Sequence, residues 1–170
     1  FDPAGRLVAS CEDGQLRLYD AKGQRIARRQ VEGGEQPFGV AFSPDGTRIA
    51  VGFNDSTAVT VVSGRDLSLL YRADTGFATN GSLSSVAWSR DGERLHAGGR
   101  FDRNGQSPVV SWPAQGRGAA VLHDASPDTI FDLAPLSGGR LAYGTGDPTW
   151  GVLGADGRRE RQLWPALLDH

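Results

Sequence analysis

The chain has 170 residues, with 18 Lys+Arg against 20 Asp+Glu and a net charge of -2. That balance provides no basic field for a phosphate backbone, and no apolar run approaches the roughly 18 residues of a membrane-spanning helix, so neither nucleic-acid nor membrane binding is expected. The 24 glycines and 9 prolines make up about a fifth of the chain, which favours many short strands joined by tight turns over long helices.

The first unit opens with Phe1-Asp2-Pro3-Ala4-Gly5 and continues through a short apolar stretch from Val8, the Asp13-Gly14 turn and a run ending at Tyr19-Asp20. The second reads as four strands: Phe38–Phe42, Ile49–Phe53, Ala58–Val62 and Leu67–Tyr71, with period-2 patterning and Asp-Gly or Ser-Gly turns between them. The third offers Leu83–Trp88, Leu95–Gly98, Pro108–Trp112 and Ala119–Leu122. The fourth offers Ile130–Leu133, Arg140–Tyr143, Trp150–Leu153 and Arg161–Trp164.

These units repeat. Phe42-Ser43-Pro44-Asp45-Gly46 returns as Trp88-Ser89-Arg90-Asp91-Gly92, is anticipated by Phe1 to Gly5, and has a degenerate copy from Ala134 to Gly139. Each copy is followed by Arg and an apolar residue, as in Arg6-Leu7 and Arg48-Ile49, and the spacing is roughly 41 to 46 residues. A four-stranded antiparallel meander of that length is a propeller blade, which makes the chain all-β. The blades fall at about 1–36 (partial), 37–82, 83–128 and 129–170, in one segment.

On these residues the chain resembles the WD40 repeat family. Val8 to Asp20 looks like the second half of such a repeat, with Tyr19-Asp20 in place of Trp-Asp. The chain departs from the family form in lacking the opening Gly-His, and its Trp-Asp positions read Val62-Ser63, Trp112-Pro113 and Leu153-Gly154. The family's Asp-His-Ser-Trp hydrogen-bond tetrad is therefore expected to be incomplete. Seventeen arginines against the single Lys22 suggest a GC-rich genome, and the blades are expected to be divergent and bacterial. The resemblance implies rings larger than the three and three-quarter blades present. With Phe1 first and no methionine, the chain reads as a processed product or a piece of a longer protein, or as a half ring that two copies close.

Catalytic signatures are missing. There is no Gly-Lys-Ser/Thr, no Gly-x-Ser-x-Gly, and Gly144-Thr145-Gly146 leads into Asp147-Pro148-Thr149, not the glycine of a dinucleotide loop. His96, His123 and His170 are far apart in sequence. A long-range His96/His123 site is the one metal arrangement left open, beside the simpler reading of a partly buried, hydrogen-bonded His96. Cys11, alone, forms no intrachain disulfide and reads as buried packing, while Asp13 and Asp45 read as turn formers. Asn54-Asp55-Ser56 and Asn80-Gly81-Ser82 match the glycosylation pattern, which a bacterial origin makes irrelevant. No catalytic residue, cofactor or metal is assigned.

What remains is surface. The linker from Arg72 to Ser82 and the loop from Arg100 to Ser107 are long and carry arginines and aromatics, the composition of binding hot spots. The candidate partner-binding residues are Arg72, Phe77, Arg100, Phe101 and Arg103, with the alternative that Phe77 and Phe101 tuck back over their own blades. Phe1, Phe42 and Trp88 are expected in the core between blades. The function read from this is a non-catalytic scaffold or sensing module for an unidentified protein partner, with self-association possible. The alternative is a lactonase-like or quinoprotein-like ring completed by further blades, with Asp132 the odd charge on an inner strand. A third reading is that the piece only holds an oligomer together.

Overall fold

The computed structural model describes residues 1–147 and 149–163. Among these described residues fifteen strands form four antiparallel sheets, each a meander in chain order. The first holds β1 (Leu7–Ser10), β2 (Gln15–Tyr19) and β3 (Arg25–Gln30); the second holds β4 (Pro37–Phe42), β5 (Arg48–Phe53), β6 (Val59–Ser63) and β7 (Leu69–Arg72). The third holds β8 (Ser85–Trp88), β9 (Leu95–Gly98), β10 (Ser107–Trp112) and β11 (Val121–Ser126). The fourth holds β12 (Ile130–Pro135), β13 (Leu141–Thr145), β14 (Trp150–Leu153) and β15 (Arg159–Leu163).

The repeated turn explains itself chemically. Ser43 Oγ donates to Asp45 Oδ1 at 2.5 Å and accepts the Arg48 N–H at 3.0 Å. Ser89 does the same with Asp91 and Arg94, at 2.5 and 2.9 Å. Gly46 and Gly92 then take φ of 66° and 74°, a region that L side chains avoid. The four positions aligned with Trp-Asp also coincide in register: Tyr19, Trp112 and Leu153 end β2, β10 and β14 and Val62 is the last residue but one of β6, opposite Leu7, Leu95, Leu141 and Ile49 respectively.

Alternation sends one row of each strand to each neighbouring sheet, and the core lies in the three seams so formed. Leu16, Leu18, Ile49, Val51 and Phe53 fill the first, Val61, Leu83, Trp88, Leu95 and Trp112 the second, and Ile130, Leu133, Leu141 and Tyr143 the third. The blades approach closely at the inner strands, where the Gly39 N–H donates to the Ser84 carbonyl at 2.9 Å.

Several expectations are corrected. β11 runs from Val121, not Ala119, because Ala114 and Gln115 hold φ of 52° and 61° and prolong the turn after Trp112. Leu67 belongs to a turn with φ 62° and is fully buried there. β3 has too many arginines to show apolar alternation. Phe1 is 85 % exposed and lies in no strand, whereas Trp88 is 3 % exposed and Phe42 is half-buried beneath the Arg6 guanidinium, 5.4 Å from its centroid. Cys11 is half-buried, not core. Trp164 and His170 lie outside the described residues.

Candidate interaction face

In the four-stranded meanders, the connections from second to third strand and from fourth strand to the next blade emerge at one end, and the β1–β2 turn and the segment after β3 correspond to them in the first sheet. The linker Ala73–Ser84 and the loop Gly99–Gln106 meet there. Asn104 and Gly105, at φ 57° and 77°, form the two-residue turn that suits a hairpin's twist, and Arg103 and Gln106 exchange backbone hydrogen bonds at 2.8 and 3.2 Å.

The two segments are cross-linked. Phe101 N–H donates to the Ser82 carbonyl at 3.0 Å, and Asn80 pairs with the Asp102 backbone at 2.9 and 3.1 Å. Phe77 and Phe101 meet edge to face, with centroids 5.8 Å apart. Phe101 is buried and Phe77 is 36 % exposed, so the first supports the second. Arg100 reaches back to the previous blade, donating to the Asn54 carbonyl at 2.7 Å. Arg72 is ion-paired with Glu32. Arg103 is exposed, and among the described residues its guanidinium has no hydrogen-bond or ion-pair partner.

The next blade junction is stitched likewise. Asp55 accepts the N–H groups of Glu35 and Gln36 at 2.8 and 3.1 Å; partial burial raises its pKa, but these donors outweigh burial and hold it below the usual carboxylate range. Between the first two blades a groove of about 600 Å³ is lined by Ser10, Cys11, Glu12, Pro37, Phe38 and Asn54. Phe38 is 57 % exposed. It lies in β4, as the strand reading of Phe38–Phe42 expects, with its ring turned to solvent.

Other singled-out residues make the following contacts. Asp132 is exposed on β12, where its Oδ1 accepts the Leu133 N–H at 2.9 Å. Asp147 accepts hydrogen bonds from Thr145 and Thr149 within its own loop. Trp112 Nε1 donates to the Asp74 carbonyl at 2.8 Å, not to a serine as in the family tetrad. Among the described residues no group of three or more His, Cys, Asp or Glu side chains is placed to hold a metal ion.

Four successive antiparallel meanders stacked through their faces define a segment of a β-propeller. A family model described as "WD domain, G-beta repeat" matches residues 1–20. The chain is 24 % identical over 117 residues to human echinoderm microtubule-associated protein-like 3, covering 68 % of this chain and 12 % of that protein. It superposes on the WD40 repeats of RRP9 with a TM-score of 0.78 at 17 % identity, over 94 % of this chain and 47 % of that one. Chaetomium thermophilum Sqt1 gives 0.71 at 25 % identity, over 96 % and 45 %. The chain thus spans about half of these solved chains and about an eighth of the human relative.

Proposed function

We propose that this segment is a non-catalytic protein-docking module of a larger bacterial protein, and that the partner engages the end carrying Arg72, Phe77, Arg100 and Arg103. The observation that carries this reading is the cross-linked pair of loops. Phe101, Asn80 and Arg100 hold Phe77 and Arg103 on a rigid scaffold, so the exposed groups lose little conformational freedom on binding. The arginine bias supports the bacterial source.

A photo-crosslinking residue placed at position 77 or 103 should trap one discrete partner. The same residue at Lys22 or Arg65, in turns at the opposite end, should trap none. Cross-links only from the opposite end, or from neither, would reject the assignment.

Self-association is favoured by a second observation. Trp150 and Leu163 are cross-strand neighbours, 45 % and 44 % exposed, in the row of β13–β15 that faces away from the third seam. A second copy covering this row would double the mass in light scattering, and a W150E variant would return it to monomer. A monomeric wild type at high concentration would eliminate this reading.

A further inference from the structure

The third seam is apolar at one end and polar at the other. His96 on β9, Ser111 on β10 and His123 on β11 lie on the same side of their sheet, following the pairings His96–Ser111 and Val109–His123. Both rings converge on one hydroxyl: His96 Nδ1 is 2.7 Å and His123 Nε2 is 3.1 Å from Ser111 Oγ. Leu141, Leu153, Gly154 and Gly157 of the last sheet close over the cluster. Gly157, at φ 78°, packs directly on the His123 ring, where a Cβ would collide with Cε1 and Nδ1.

A serine hydroxyl has one proton. With both imidazoles neutral it donates that proton to one ring and accepts an N–H from the other, closing a chain of hydrogen bonds. With both rings doubly protonated the hydroxyl can only accept. Its own proton then loses its partner, and two positive rings face each other under an apolar cover.

The surrounding charges are mixed. From the same sheet come Arg94 and Asp91 ahead of β9, and Asp124 on β11. From the last sheet come Asp156 in the turn before β15, and Arg159 and Glu160 on β15, with Arg140 4.0 Å from Glu160. Arg94 crosses the seam to donate to the Ala155 carbonyl at 3.2 Å, which places a fixed cation beside the rings. Burial holds His96 down to about 4, with the His123 and Arg94 charges adding to it, and burial likewise holds His123 below its ordinary value.

We propose that this seam is an acid-responsive joint: proton uptake by His96 and His123 separates the fourth sheet from the third while the other two seams stay closed. Among the described residues, no other histidine lies in any seam. The sign follows from linkage. The opened form binds protons at the ordinary value of 6.5 and the closed form at a lower one, so opening is favoured as pH falls below 6.5 and unaffected above it. At pH 5.5 this amounts to about tenfold in the opening equilibrium for His96, and His123 adds in the same direction.

Hydrogen exchange of the intact protein tests it at pH 7.5, 6.5 and 5.5, corrected for the intrinsic pH dependence of exchange. Amides of β12–β14 should lose protection by about tenfold or more between the first and last pH, while β5 and β6 keep theirs. The H96Q/H123Q double variant should show no such loss. Constant protection of β13 in the wild type overturns the proposal, as does an equal loss in β5 and β6. So does an unchanged loss in a double variant that retains wild-type protection at pH 7.5. The comparison of seams within the wild type decides the matter even where the double variant does not fold.

Discussion

Trp88 Nε1 donates to the carbonyl of Ala41 at 3.1 Å, tying the inner strand of the third blade to that of the second. The indole is almost fully buried in the middle seam, so packing and hydrogen bonding act through one side chain. Trp88→Phe keeps most of the packing and removes the donor; its cost should be about 1–2 kcal/mol. Trp88→Ala opens a cavity and should cost about 3–5 kcal/mol. Urea midpoints at unchanged slope measure both, and equal costs would mean that the hydrogen bond, not the ring, dominates.

Gly52 and Gly105 separate two reasons for glycine. Gly52 has ordinary backbone angles, but a Cβ there would lie 2.5 Å from the Leu83 carbonyl oxygen and 2.7 Å from that of Ser84, both rigid backbone of the next blade. Gly105 has φ 77° with nothing within 4 Å. Gly52→Ala should therefore cost about 2–3 kcal/mol through crowding, and Gly105→Ala about 1 kcal/mol through backbone strain alone. Thermal unfolding of the two variants checks the order, and the reverse order would show that the blades can slide apart.

The blades were legible because their information is local. Phe38–Phe42 and Ile49–Phe53 alternate over five residues and are joined by a turn whose serine, aspartate and glycine all lie within six positions. The misplaced β11 shows the limit of that reading. Ala119 to Leu122 has the apolar pattern, yet the pairing continues through His123 and Ser126, polar residues whose burial depends on the following blade. The interaction face is harder for the same reason. Phe101 is buried by a phenylalanine of the preceding linker, and Arg100 is held by a residue 46 positions away. Ser111 meets two histidines from different strands. No spacing rule reports such contacts, because the blade-to-blade register that creates them is a property of the assembled fold.

Phe77 and Phe101 should behave differently under truncation despite their shared contact. Phe101 sits in the second seam's core, so Phe101→Ala should cost about 3–5 kcal/mol and loosen the whole loop pair. Phe77→Ala removes a ring that is already partly in solvent and should cost roughly 1 kcal/mol. On the proposed function, Phe77→Ala weakens partner capture at nearly unchanged stability. A Phe77→Ala protein as unstable as Phe101→Ala would place Phe77 in the core and remove it from the binding surface.

The turn aspartates predict a second, lower pH transition, distinct from that of the histidine seam. The Ser43 hydroxyl, with help from Thr47, holds the Asp45 carboxyl at about 2, and the hydrogen bonds of Ser68 hold Asp66 at about 2. Both lie below the ordinary 3.8, so their stabilisation is complete above pH 4 and lost as pH falls through 2. Because both side chains are well solvated, the effect is modest, on the order of a degree or two in Tm for each. Asp45→Asn should lower Tm at pH 7 by that amount, and the gap to wild type should close as pH drops from about 4 to below 2. A gap that persists unchanged below pH 2 would show that the asparagine disturbs the turn itself, and that the carboxylate charge contributes nothing to it.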